Sequence, residues 1–366
     1  MKQIQQIKRV FPGGNTSKGF YSFYDHIIGD DAEHIYVIKG GPGVGKSTFM
    51  RTIAQELLDR GYKVEYHHCS SDIDSLDGVV FHELRVALID GTSPHIVDPK
   101  APGCVDEILH LGDYWDERKL RENRAEILHL NARISEYFQR AYRYLAAAES
   151  VYQDWEATIG KRISSGYINQ QAAELIQEIF GNRPVASVEG RIRRLFASAI
   201  TPDGMINYLE TLIDPMPCKI VLQGLPGTGR SKLLNLVAEA AIQRGFDLEM
   251  FHCALNPDRV EHLVIPDLGV AITTSEEPHA YKRHKSDLWI NLDAGLAKDE
   301  APDDGEVLAT VQKYYWELLG VAITYIRKAK ETHDAMEKLY IPTMDFKAIA
   351  ELRQKILAKI LASPKH

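Results

Sequence analysis

Residues 40 to 48 read "GGPGVGKST" and match the pattern G-x-x-x-x-G-K-[ST] in full. Each part of that pattern has a physical reason. Glycines let the backbone wrap an anion with its N–H groups turned inward. A helix N-terminus placed directly after the loop adds free N–H groups and the positive end of a dipole. Lys46 supplies a compact cation for β- and γ-phosphates, and the Ser47 hydroxyl is a Mg²⁺ ligand of the right kind. Gly40, Gly41, Pro42, Gly43, Val44, Gly45, Lys46, Ser47 and Thr48 are therefore the candidate nucleotide-binding residues.

A metal-bound nucleotide also needs a carboxylate close by, commonly at the end of an apolar strand. "RVALIDG" offers Asp90, which with Ser47 forms the candidate Mg²⁺ pair. An Asp-Gly turn is the structural alternative for Asp90. No glutamate follows Asp90, which counts against fast hydrolysis. Asp72 and Asp74, in "HHCSSDID", lie just past a second strand, where ligands of open α/β sheets bind. Either is a candidate general base, and turn capping is the competing reading.

A second stretch, "GLPGTGRSK" at 224 to 232, nearly repeats the first. With a shift of 184 and no gap, residues 40 to 95 share 18 identities with 224 to 279 over 56 positions, against roughly three or four by chance. His68 and Cys69 recur as His252 and Cys253, which favours a structural role for them, and Pro94-His95 recurs as Pro278-His279. Upstream, "RVFPGGNTSKGF" matches "RLFASAITPDGM" at a shift of 185. Downstream, "YLAAAESVYQDWE" lies on "YIRKAKETHDAME" at 181. The repeats span 1–187 and 188–366, with a Gly/Asn/Pro junction in "GNRPVAS".

Two chemical parts differ between the loops. Arg230 replaces Lys46, and Thr274 replaces Asp90, with Glu276 and Glu277 as imperfect substitutes. Asn256 replaces Asp72. The second unit thus reads as a degenerate copy, in which Gly224, Gly227, Gly229, Arg230 and Ser231 either still hold a phosphate or serve structure alone. An arginine from within the chain, Arg230 or one such as Arg118 or Arg121, is a candidate to complete the first site.

These residues need a scaffold. "HIYVIKG" (34–40) predicts a buried strand, "KSTFMRTIAQELLDRG" a helix stopping at Gly61, and "YKVEYHHC" and "LRVALID" two further strands. This succession predicts a parallel sheet covered by helices. From 114 to 180 the chain is rich in helix formers, as one long helix or a helical hairpin, and 305 to 363 is its counterpart. Aromatic positions there are expected in a core. The helical parts either pack on each other or offer a stalk to a protein partner. "GRIRRLF" (190–196) is expected to be a solvated helix face.

The chain resembles the P-loop NTPase superfamily through "GGPGVGKST" and "RVALID". More closely, it is similar to bacterial ATPase-like or nucleotide-kinase-like proteins with tandem P-loop units, through "HCSSDIDSLDGVV" and "LIDGTSPHIVDP". The resemblance covers nearly the whole chain. It implies a three-layer αβα fold in each unit, with ATP and Mg²⁺ at Lys46, Ser47 and Asp90.

Composition sets the remaining bounds. The 366 residues, 45% hydrophobic and 26% charged, suit two soluble domains. A net charge of −8 argues against general nucleic-acid binding. No run reaches the ~20 apolar residues of a membrane span. Cys69, Cys104, Cys218 and Cys253 form no C-x-x-C pair and are expected as small core residues in a reducing cytoplasm. The absence of an N-K-x-D signature favours ATP over GTP. The expected activity is Mg²⁺-dependent ATP hydrolysis at the first loop. The alternatives are a small-molecule or nucleotide kinase and a nucleotide-sensing scaffold.

Overall fold

The computed structural model describes residues 7–92, 96–276, 280–282, 284, 286–297 and 304–362. In the first half of the chain the strands are β1 (Ile7–Val10), β2 (Gly13–Thr16), β3 (Gly19–Ser22), β4 (His34–Lys39), β5 (Val64–His68), β6 (Leu76–Phe81), β7 (Val86–Asp90) and β8 (Asp106–His110). The helices are α1 (Lys46–Asp59), α2 (Glu117–Glu122), α3 (Arg124–Gly160) and α4 (Ser165–Phe180). The second half has β9 (Ile192–Phe196), β10 (Ser198–Thr201), β11 (Gly204–Asn207), α5 (Leu209–Ile213), β12 (Cys218–Gln223), α6 (Arg230–Gln243), β13 (Leu248–His252), β14 (Val260–Ile265), β15 (Val270–Thr274) and β16 (Leu288–Asn291). It closes with α7 (Asp304–Tyr340) and α8 (Phe346–Ala362).

The duplication is visible in the sheets. One has the order β1-β5-β6-β7-β4-β8, and the other, read from its opposite end, is β9-β13-β14-β15-β12-β16. Within each, all pairings are parallel except those of β6 and of β14. The strands are mostly parallel, as expected, but each sheet is mixed, because β6 and β14, which the sequence does not announce as strands, run antiparallel. The physical reason is the short link: a turn through Asp72–Ser75 reverses the chain directly after β5, and so tight a return gives an antiparallel neighbour. All six residues of β6 are buried, although it contains Asp77 and Gly78.

The chain forms two compact units whose boundaries differ from those of the repeats. Unit 1 comprises residues 1–14, 22–141 and 324–366, and unit 2 comprises 15–21 and 142–323. The cause is where each amphipathic helix buries its apolar face. Ile349, Ile356, Leu357 and Ile360 of α8 enter the core built on Phe49, Ile53 and Leu57 of α1. Ile168, Ala172, Leu175 and Phe180 of α4 enter the core built on Leu233, Leu234 and Val237 of α6. Each repeat therefore gives its closing helix to the other unit. The long helices divide as well: α3 enters unit 2 at Tyr142, and α7 enters unit 1 at Thr324.

Three further expectations are corrected. "GRIRRLF" is the edge strand β9, not a helix. Arg193 is paired in register with Glu249, 3.1 Å away, and Arg191 reaches Asp247 at 2.8 Å, so cross-strand carboxylates neutralise two of the three arginines, while Arg194 lies 3.1 Å from His252 Nε2. Cys104 and Cys218 are exposed rather than in a core, while Cys253 is buried, and all four cysteines are free thiols. The helical aromatics divide: Trp155 and Tyr315 are buried against each other, but Tyr314 and Trp316 are about half exposed. No helix among the described residues is long and apolar enough to cross a membrane.

Candidate functional site

In unit 1, β4 runs into the glycine loop and α1 leaves it. Gly43 and Gly45 take φ of +67° and +88°, the left-handed region where a Cβ is strained. A Cβ on Gly40 would lie 2.8 Å from Val44, whose buried side chain anchors the loop from inside. Pro42 is half-buried and Thr48 is exposed.

Lys46 and Asp90 come together, at 3.5 Å from Nζ to Oδ2. Lys46 Nζ also donates to the carbonyls of Gly40 (3.1 Å) and Gly41 (2.9 Å). Asp90 Oδ1 accepts from the Thr92 N–H at 2.9 Å, and the Thr92 hydroxyl returns to the Gly40 carbonyl at 3.0 Å. The turn after β7 is thereby tied to the start of the loop. Ser47 Oγ accepts from the Leu76 N–H at 3.1 Å, which joins α1 to β6.

Asp72 and Asp74 belong to the turn before β6. Asp72 accepts from the Asp74 N–H (3.3 Å) and the Ser75 hydroxyl (3.0 Å), and it faces Lys330 of α7 at 3.3 Å. Arg51 donates to the Asp74 carbonyl, and Asp74 itself is exposed. The Asp72 carboxylate thus holds the turn, while Asp74 takes part in it through its backbone N–H and carbonyl. Burial pulls the His68 imidazole down to about 4, and it bonds the Ile73 carbonyl at 3.2 Å. His252 in unit 2 is likewise pulled down to about 4 by burial. Arg118 and Arg121 point from α2 into solvent and pair with Glu122 and Glu117.

The residues that sequence reasoning missed come from the end of α7 and the chain that follows it into α8. Glu337 Oε1 accepts a hydrogen bond from the Gly43 N–H at 3.1 Å. The Tyr340 ring lies so close to Gly41 that a Cβ there would meet it at 2.8 Å. Ile341 and Phe346 flank Gly43 and Gly45. The one available signal was the alignment at 181, which lays Glu156 on Glu337. His333, Asp334 and Glu337 bring ligand atoms within 4.8 Å of one another. Lys330 bonds both Asp334 and Asp72 beside them, so a cation already occupies this acidic edge.

Unit 2 repeats the arrangement with altered chemistry. Gly227 and Gly229 are again left-handed, and Ser231 Oγ again accepts a backbone N–H, from Val260 at 3.1 Å. The helix cover is closer. A Cβ on Gly227 would meet the Glu156 carbonyl at 2.2 Å. Gly224 opens the loop, and Thr228, where unit 1 has Val44, donates to the Leu225 carbonyl at 2.8 Å. Arg230 lies 3.7 Å from Glu276 and 3.5 Å from the Tyr152 hydroxyl, so Glu276 takes the place that Asp90 has beside Lys46. Glu277, His95 and His279 lie outside the described residues.

Arg259 dominates this second site. Its guanidinium reaches Glu149 at 3.1 Å and Glu156 at 3.0 Å, and it stacks 4.4 Å from the centre of the Tyr152 ring. Asn256 donates to Glu149 at 2.7 Å, where unit 1 has Asp72 facing Lys330. Burial raises the Glu156 carboxyl above its usual range, with Arg259 opposing. A cleft of about 150 Å³ remains, lined by Glu156, Gly227, Arg230, Ser231, Arg259 and Thr274 among others.

The family described as Nephrocystin 3, N-terminal, matches residues 21–82, a stretch that holds β4, the first glycine loop, α1, β5 and β6. Neither the curated proteins nor the solved structures contain a match to the chain.

Proposed function

We propose that the first glycine loop binds ATP with Mg²⁺ and that unit 1 hydrolyses it, with the second loop a degenerate partner. The observation that carries the reading is the meeting of Lys46 with Asp90 at 3.5 Å beneath a loop whose Gly43 N–H engages an anion, the Glu337 carboxylate. A backbone N–H turned toward an anion is what a phosphate requires.

Ser47 and Asp90 fit Mg²⁺ by the chemistry of their donors, a hydroxyl and a carboxylate oxygen, which suit a hard cation. Among the described residues, Asp90 Oδ2 faces the ammonium of Lys46, which it would exchange for the ion. When bound, the ion neutralises phosphate charge. Lys46 then turns from the Gly40 and Gly41 carbonyls to the β- and γ-phosphates, and the amides of Gly43 to Lys46 cradle them. Gly91, where many ATPases carry a glutamate, leaves the attacking water without an orienting group from β7.

The test follows γ-labelled ATP with Mg²⁺ and the purified full chain, with and without a small-molecule extract. Label in free phosphate without extract is the expected outcome. Label appearing only in an extract-dependent compound replaces hydrolysis with a kinase reaction. Bound ATP with no labelled product leaves a nucleotide-sensing scaffold.

A further inference from the structure

The Glu337 carboxylate and a nucleotide phosphate compete for one donor. In the reading just given, the Gly43 N–H belongs to the phosphate cradle, yet in the structure it donates to Glu337 Oε1 at 3.1 Å. The neighbouring space is filled too. The Tyr340 ring lies against Gly41, and Ile341 lies against Gly43. Lys46, which a phosphate would draw outward, is folded back onto the carbonyls of its own loop.

We propose that Glu337 is a built-in anionic plug: its carboxylate occupies the phosphate position of the first loop and withdraws when nucleotide enters. This rests on the nucleotide reading of that loop. A carboxylate reproduces the charge and the acceptor oxygens of a phosphate edge, so it satisfies the loop amide in the absence of ligand.

The contrast with unit 2 makes the plug of unit 1 a movable one. Among the described residues, Glu337 accepts from the Gly43 N–H, has His333 at 3.9 Å and an Asp334 oxygen within 4.8 Å, and it is about one-third exposed. Glu156, its counterpart in the repeat, is clasped by Arg259 at 3.0 Å. A side chain held by one amide hydrogen bond can rotate away, whereas one fastened by a buried guanidinium stays. The first site is therefore gated and the second is fixed. A partner that holds Glu337 away from Gly43 raises nucleotide affinity without touching nucleotide.

The experiment titrates a ribose-labelled fluorescent ATP analogue with Mg²⁺ into the full-length wild type, Glu337→Ala, Glu337→Gln and Lys46→Ala. Removing a charged competitor for one hydrogen bond is expected to tighten binding about tenfold or more in Glu337→Ala. Glu337→Gln, which keeps the shape and an uncharged acceptor, is expected between it and wild type, and it serves as the test variant if Glu337→Ala does not fold. Lys46→Ala is expected to bind weakly. Equal affinity in wild type and both Glu337 variants overturns the plug and leaves nucleotide binding standing. Unchanged affinity with lost turnover also overturns it and makes Glu337 a group that acts on the attacking water. No binding by any variant overturns the nucleotide reading, and the plug falls with it.

Discussion

Arg259 grips Glu156 at 3.0 Å, while the residue aligned with Arg259 in the first repeat is Ser75, whose hydroxyl turns instead to Asp72 at 3.0 Å. One substitution between the repeats thus decides whether the glutamate facing a glycine loop is fastened. Arg259 and Glu149 are nearly buried, at 12% and 8% side-chain exposure. Removing one partner of a buried pair leaves an uncompensated charge. Arg259→Ala is expected to lower the stability of unit 2 by about 3 kcal/mol. Adding Glu149→Gln should recover part of the loss. Chemical denaturation followed by tryptophan fluorescence measures both, and an Arg259→Ala protein as stable as wild type contradicts the fastening.

Lys46 and Arg230 occupy matching positions but unequal settings. Lys46 faces Asp90 and the carbonyls of its loop, whereas Arg230 faces Glu276 and Tyr152. Lys46→Ala is expected to reduce Mg·ATP turnover by roughly 100-fold, the scale of losing one charge-stabilising donor. Arg230→Ala is expected to lose less than about tenfold. Initial rates of phosphate release decide this, and equal losses from both variants would mean two working sites.

Glycine positions separate backbone strain from steric exclusion. Gly181 has φ +56° with nothing within 4 Å of an added Cβ, while Gly227 has φ +92° and the Glu156 carbonyl 2.2 Å away. Gly181→Ala should cost about 1–3 kcal/mol from its positive-φ backbone alone. Gly227→Ala should cost about 3 kcal/mol or more, because the covering turn of α3 has to shift. Paired denaturation curves test the ordering, and equal costs at the two positions would mean that α3 does not press on the loop.

The exchange of closing helices predicts that the repeats are not independent folding units. Residues 1–187 lack α8, and residues 188–366 lack α4. Each half then exposes core positions, Phe49 and Leu57 in one and Leu233 and Val237 in the other. Neither half alone is expected to unfold cooperatively, and co-expression of the two is expected to restore a cooperative transition. A monomeric, cooperatively folding 1–187 fragment would show that α4 can close unit 1.

His68 and His252 give the protein an acid limit. Both are buried, and their imidazoles are pulled from an ordinary value of 6.5 down to about 4. The unfolded chain therefore binds protons between these values that the folded chain refuses. Stability is fully present above pH 6.5 and is lost as pH falls toward 4, by up to about 3 kcal/mol for each histidine. Denaturation series at pH 7 and pH 5 are expected to show this fall. His68→Asn and His252→Asn should each flatten it, whatever their stability at pH 7.

The sequence made the local parts of this molecule readable. β4, the glycine loop and α1 follow from a β-branched run, glycine spacing and a helical period, all within one short segment. The duplication was readable because two loops with like surroundings align without gaps. What remained hidden depends on choices between like partners. The apolar faces of α4 and α8 announce that each needs a core, but the two repeats offer nearly the same core, and periodicity cannot choose between them. Glu337 and Tyr340 stayed hidden for the same reason, since they reach the first loop from the second repeat. "GRIRRLF" does not declare itself a strand, because seven residues are too few to distinguish a helical from a strand period. Its partners, Asp247 and Glu249, lie at and just before β13, six elements downstream.

The placement of α8 also governs how the protein is made. A ribosome completes α1 at Asp59 and does not begin α8 until Phe346. At about 5–20 residues per second, that interval lasts tens of seconds. Throughout it, the core of unit 1 lacks Ile349, Ile356, Leu357 and Ile360. The nascent unit waits with apolar surface uncovered, in the state that draws chaperones and aggregation alike. A duplication that trades its last helices thus converts two domains that could mature in turn into a pair in which the first synthesised is the last to be finished.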